Sequence, residues 1–307
     1  MAIWARVKTE EQFRSVVENN ALFADCVIVD FSLAQNEKVL QTIVKMREEE
    51  NEKKSSIKAL AANRKYYYQL PEVLRNSKAE KLLAPAKNFD GVVIKNLDEL
   101  GMIVTYLENF DKASVERKEN FTTESILKFP DFEIIGDAFL YAYNKSALEF
   151  YRCFVPEMKF ILSDELKKEE LSQLMKAEPA ENFILKVYGH QAVMITAQCL
   201  NKNYGRCWKQ KNANKGANQK IAGNQLQNPV ILFTDETGED FYSVSHCKEC
   251  YSVIYKGEPT CILSKMEDKQ ENLLFDFTIE SGKETAQILK ERKGLAYNGG
   301  HYDKGIE

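Results

Sequence analysis

Short apolar runs alternate with capped amphipathic helices along nearly the whole chain. That alternation limits the fold more than any other feature of the 307 residues. Trp4–Lys8 reads as a strand. Thr9, with Gln12 three residues on, forms a capping box for a helix whose apolar face is Phe13, Val16 and Val17. Cys26–Phe31 holds a continuous β-branched run, the pattern of a strand covered on both faces. A long charged helix follows, with Val39, Leu40, Ile43 and Val44 on one side. Tyr66–Leu70, ended by Pro71, is the third strand, followed by Val92–Lys95, Glu133–Ile135, Lys159–Leu162, Phe183–Val187 and Leu273–Phe277. Asn96 with Glu99 caps one intervening helix, and another starts near Lys145. Ser163 reads as the cap of a helix over Leu166–Met175, and Ser281 with Glu284 opens the last helix, through Arg292.

Eight strands alternating with helices predict a TIM-like eight-stranded β/α barrel, one domain over residues 1–307. An open doubly wound sheet competes, but no Gly-x-Gly-x-x-Gly follows an early strand. One connection is out of proportion. Residues 188–272 separate strands seven and eight, where a few residues and one helix are usual. This insertion leaves the C-terminal end of strand seven, the face where barrel enzymes keep their active sites. His190 stands just past strand seven, and Asp137 and Asp276 end strands five and eight. All three are candidate catalytic residues, and either aspartate could instead pair with a neighbouring cation.

The insertion carries five of the seven cysteines, and four of them fall in two pairs. Seven residues separate Cys199 from Cys207, and two separate Cys247 from Cys250. Thiolates are soft ligands, and two close pairs can fold around one metal or iron–sulfur centre. The chain has no signal-peptide core and no apolar run long enough to span a membrane, which predicts a cytoplasmic protein whose thiols stay reduced. From Asn182 to Thr234 there is no Asp or Glu, although the whole chain carries a net charge of -4. Lys202, Arg206, Lys209, Lys211 and Lys215 fall in that stretch, with Tyr204 and Trp208 among them. Cations interleaved with aromatics suit a polyanion whose bases can stack, so these residues are candidate RNA contacts.

The segment Tyr188-Gly189-His190-Gln191-Ala192-Val193-Met194-Ile195-Thr196-Ala197-Gln198-Cys199, with Gly205-Arg206-Cys207, resembles the motif of peptidase family U thirty-two. Cys247-x-x-Cys250-Tyr251-x-x-Ile254-Tyr255, Asp276-Phe277-Thr278 and Gly300-His301-Tyr302-x-x-Gly305-Ile306-Glu307 are similar to its later segments. Two features depart from the family pattern: the gap between the first two cysteines is longer, and His190 stands where an arginine is usual. The family was first described as collagenase-like proteases. Its better-understood relatives use prephenate to hydroxylate a pyrimidine in tRNA or ribosomal RNA. The resemblance therefore implies a four-iron iron–sulfur cluster on Cys199, Cys207, Cys247 and Cys250, prephenate as co-substrate, and a substrate contact from His301. It is closest to the C-terminal part of the long members, which implies an upstream domain or a partner subunit.

A peptidase needs a nucleophile with a base, or a catalytic metal. The chain has three histidines and neither His-Glu-x-x-His nor Gly-x-Ser-x-Gly. Four thiolates around one ion leave no open position for a hydrolytic water. RNA modification is the reading that fits cluster, basic stretch and barrel together. Peptidase activity and a non-enzymatic binding module with structural zinc are the alternatives.

Overall fold

The structure, a computed structural model, describes residues 2–18, 24–54, 64–74, 79–115, 132–203, 207, 230–266, 272–292 and 298–303. Strands β1 (Ala2–Val7), β2 (Cys26–Val29), β3 (Lys65–Gln69), β4 (Gly91–Ile94), β5 (Glu133–Gly136), β6 (Lys159–Leu162) and β7 (Phe183–Gly189) pair in parallel in chain order. Between β7 and the last barrel strand lie β8 (Ala192–Thr196), β9 (Val230–Thr234), β10 (Asp240–His246), β11 (Tyr251–Lys256) and β12 (Thr260–Cys261). Strand β13 (Asn272–Asp276) then lies parallel between β7 and β1 and closes an eight-stranded barrel. All eight strands expected from the sequence are its staves.

Helices α1 (Glu10–Val17), α2 (Phe31–Ala34), α3 (Glu37–Lys54), α4 (Ala79–Leu83), α5 (Leu97–Val115), α6 (Lys145–Arg152) and α7 (Lys168–Ala177) surround it, with α8 (Leu200–Asn203) in the insertion and α9 (Gly282–Glu291) last. Their starts follow side-chain chemistry. Thr9 and Ser281 make the expected capping boxes with Gln12 and Glu284, and the Asn96 side chain accepts from the Glu99 amide at 2.9 Å. Ser163 does not cap α7, which begins later, after Lys167. Its hydroxyl accepts from the Glu165 amide at 3.2 Å and closes the turn leaving β6. No helix among the described residues is long and apolar enough to cross a membrane.

The strands bury both faces, as their near-continuous apolar runs require. Outward residues such as Val27, Val29, Tyr66, Tyr68 and Phe275 pack under the helices. Inward residues form a second core inside the barrel: Trp4, Cys26, Ile28, Tyr67, Val93, Ile135, Ile161, Ile184 and Leu274. Trp4 stacks on Tyr67 there, with ring centroids 4.9 Å apart. Fully buried side chains such as Ile28, Val93 and Leu274 each contribute roughly 1.5–3 kcal/mol of apolar transfer.

The insertion is itself a small antiparallel sheet in the order β8-β11-β10-β9. Its buried side chains Val244, Tyr251, Val253 and Tyr255 pack against Val73 and Ile279, which follow β3 and β13. Strand β7 runs two residues further than the sequence suggests, so the insertion starts at His190. Those two residues, Tyr188 and Gly189, pair with β12 after β6 has ended. Gly189 makes the extension possible. Its φ is +150°, and a Cβ there would come within 2.7 Å of the Asp276 carbonyl oxygen. Gly189→Ala is expected to cost more than about 1 kcal/mol in urea unfolding, because the backbone of β13 must move to admit the methyl group.

Candidate active site at the barrel mouth

The inward parity of the strands builds the site. Two residues beyond the apolar interior, toward the C-terminal end, every strand places a polar side chain. Trp4 is followed on its face by Arg6, Ile28 by Asp30, Tyr67 by Gln69, and Val93 by Lys95. Ile135 is followed by Asp137, Ile161 by Ser163, Ile184 by Lys186, and Leu274 by Asp276. Above this layer is a cavity of about 240 Å³, with Lys8, Glu72 and His190 in its walls and Ala192–Ile195 of β8 and Tyr255 of β11 covering it. The insertion therefore lies over the C-terminal face of the barrel.

Arg6 is the centre of the layer. It is only 5 % exposed, and its guanidinium spans Asp137 and Asp276, with Nη1 3.0 Å from Asp276 Oδ2. Both candidate aspartates thus converge on one buried arginine. Burial alone would raise the Asp276 pKa. Arg6, with Lys8, Lys186 and Lys95 behind it, outweighs that and holds it below the usual carboxylate range. A second buried pair stands beside it, Lys95 with Glu72. Burial pushes Glu72 up, but Lys95, His246 and Lys8 bring it well below an ordinary glutamate, while Glu72 and Asp137 keep Lys95 above its usual value against its own burial. Lys186 pairs with Asp164 at 2.8 Å. Lys8 has no carboxylate partner among the described residues, and its ammonium donates to the Tyr255 hydroxyl at 2.7 Å.

His190 is buried in the cavity wall. Its Nδ1 lies 2.8 Å from the Lys256 carbonyl, and its Nε2 faces Glu280 Oε1 at 3.6 Å. Glu280 is held by the Tyr188 hydroxyl at 2.9 Å and by the Thr278 amide at 2.6 Å. The His190 Nδ1 contact links the turn from β7 into β8 to the end of β11. His301 lies apart from the main cavity, in a short turn lining a smaller one next to Ser163, Asp164 and Lys186. Lys202 is exposed on α8, and Arg206, Lys209, Lys211 and Lys215 lie outside the described residues.

The cysteines gather at the end of the insertion sheet. Strand β8 ends opposite the start of β11, with Thr196 beside Ser252, and Cys199 follows. Cys247 and Cys250 lie in the turn between β10 and β11, closed by the Cys250 amide donating to the His246 carbonyl at 2.8 Å. Cys250 takes φ +59°, which a side chain rarely adopts. Burial, and the charges of Cys199, Cys207 and Cys250 nearby, push the Cys247 thiol up to about 11. The pairing of β8 with β11 brings Cys199 to the same end of the sheet as Cys247 and Cys250. As they stand, no three His, Cys, Asp or Glu side chains among the described residues form a set that could hold a metal ion.

The turn also touches the cavity. Tyr251, next to Cys250, stacks on His246 with centroids 4.4 Å apart and donates its hydroxyl to Glu72 at 2.5 Å. Arg6, Lys8, Glu72, Lys95 and Glu280 were not singled out in the sequence. The signal for Arg6 and Lys95 is a charged residue two places after an inward apolar one in an otherwise buried strand. Glu72 and Glu280 lie in loops, where no periodicity marks them.

Fold and mouth together define a β/α barrel with a polar, ion-paired layer where barrel enzymes hold their reacting groups. Comparison with protein-family models, curated proteins and solved structures found no match. The resemblance to peptidase family U thirty-two rests on the sequence motifs alone.

Proposed function

We propose that the protein is a cytoplasmic iron–sulfur enzyme that modifies RNA, hydroxylating a pyrimidine held at the barrel mouth. The observation that carries this reading is the hydrogen bond from Tyr251 to Glu72. It ties the turn bearing Cys247 and Cys250 to the wall of the cavity, so a centre bound there would adjoin the site of reaction. Cys199, Cys207, Cys247 and Cys250 would hold the cluster. Their soft donor chemistry fits such a cluster, and Cys199 follows the end of β8 that pairs with the start of β11, beside the turn of Cys247 and Cys250. A bound cluster supplies one-electron chemistry. The chain's own groups orient the substrate: the Arg6 and Lys95 ion pairs fix the floor, and Lys8 offers a cation to a carboxylate such as those of prephenate. The acid-free stretch from Asn182 to Thr234 supports an RNA partner.

Anaerobically purified protein should be brown and contain iron. RNA from a deletion strain should lack one hydroxylated pyrimidine by mass spectrometry of its nucleosides. Colourless protein holding one zinc would favour the binding module. Unchanged nucleosides, together with cysteine-dependent cleavage of a denatured protein, would establish the peptidase reading instead.

A further inference from the structure

Tyr141 lies in the cavity wall and is the C-terminal cap of a short turn over Ala138–Leu140. Its backbone is left-handed, with φ 53° and ψ 40°. That conformation costs a residue with a Cβ free energy, and glycine or asparagine normally fills such a cap. Tyr141 is 58 % exposed, so apolar burial does not compensate the strain. It is nevertheless held in place. Tyr143 meets it edge-on, with centroids 5.6 Å apart and planes at 89°, and the Tyr143 hydroxyl is itself bonded to Glu165. A strained backbone that presents a fixed, exposed aromatic ring to a cavity marks a ligand contact.

The rest of the cavity indicates what the ring meets. Val193, Met194 and Ile195 of β8 line it and are 44 %, 55 % and 39 % exposed, which adds an aliphatic wall. Its charged lining is close to balanced, five carboxylates against Arg6, Lys8, Lys95 and Lys186. A balanced field does not draw a polyanion inside. The volume of about 240 Å³ suits one flat ring rather than a strand. We infer that Tyr141 is the stacking platform for a single RNA base turned out of its strand, with the phosphates left outside the cavity. The inference rests on the RNA reading above.

The test uses the full chain and a short fluorescein-labelled oligouridylate, with binding read by fluorescence anisotropy. Tyr141→Gly should weaken binding by roughly tenfold or more, as loss of a base–aromatic stack does. The same variant should unfold at a urea concentration no lower than wild type, because glycine relieves the left-handed strain. Tyr141→Phe should bind as wild type. If wild type binds and Tyr141→Gly binds equally well, the stacking inference fails while the RNA reading stands. If Tyr141→Phe loses as much as Tyr141→Gly, the hydroxyl and not the ring makes the contact, and stacking is again excluded. If wild type does not bind the probe at all, the RNA reading fails and this inference falls with it.

Discussion

Replacing Arg6 by alanine should destabilise the protein by about 3–5 kcal/mol near neutral pH, because it leaves the carboxylates of Asp137 and Asp276 buried without their cation. The size of the effect reflects burial. Both partners are almost fully removed from water, so solvent cannot screen the loss. The dependence on pH identifies the cause. In the wild type the Asp276 pKa is depressed, so its contribution is present above the unfolded carboxylate pKa and is lost as pH falls through the folded one. In Arg6→Ala burial dominates, the carboxyl pKa rises, and uptake of a proton relieves the variant as pH falls. The stability gap between the two proteins should therefore be widest near neutrality and narrow toward about pH 5. Urea midpoints at several pH values measure it. A gap that stays constant would show that Arg6 acts by packing its alkyl stem and not by its charge.

The sequence displays the barrel because each stave is buried on both faces, and such strands read as apolar runs whatever their neighbours. It does not display the polar layer as a layer. Asp137 and Asp276 stood out because they end strands five and eight. Arg6 and Lys95 did not, since a lone charge at a strand end looks like the start of a loop until the barrel's inward parity is known. The insertion sheet was hidden for a different reason. Strands β9 and β10 are joined by Asp235-Glu236-Thr237-Gly238, where Asp235 Oδ1 accepts from the Thr237 and Glu239 amides at 2.9 Å. That turn signal is local. Strand β9 is an apolar run that stays exposed or half-buried, and β10 is interrupted by Ser243 and Ser245, so neither pairs an apolar run with full burial as the barrel strands do. The spacing of the cysteines indicated chemistry but not place. Their place at one end of the insertion sheet depends on β8 and β11 pairing across more than fifty residues of chain.

Cys250 offers the most selective test of the thiol centre, because structure and function make opposite demands on it. Its φ of +59° costs a cysteine about 1 kcal/mol that a glycine would not pay. A residue retained only to close the β10–β11 turn gains from replacement by glycine. Cys250→Gly should therefore raise the urea midpoint of protein purified in air, stripped of metal and kept reduced. When iron and sulfide are supplied anaerobically, the same variant should bind several-fold less iron than wild type and lose most of the visible absorption. Cys199→Ser, Cys207→Ser and Cys247→Ser should lose iron without that gain in stability. Cys153→Ser should change neither, since its thiol is exposed at the end of α6, outside the insertion that carries the four cysteines. The thiol centre is wrong if Cys250→Gly is stabilised and still takes up as much iron as wild type, because the turn would then have been separated from ligation. A variant that loses both iron and stability would place Cys250 in the packing of the turn, with the missing iron a consequence of local unfolding. The four-thiolate reading requires the split: a more stable chain that no longer holds its metal.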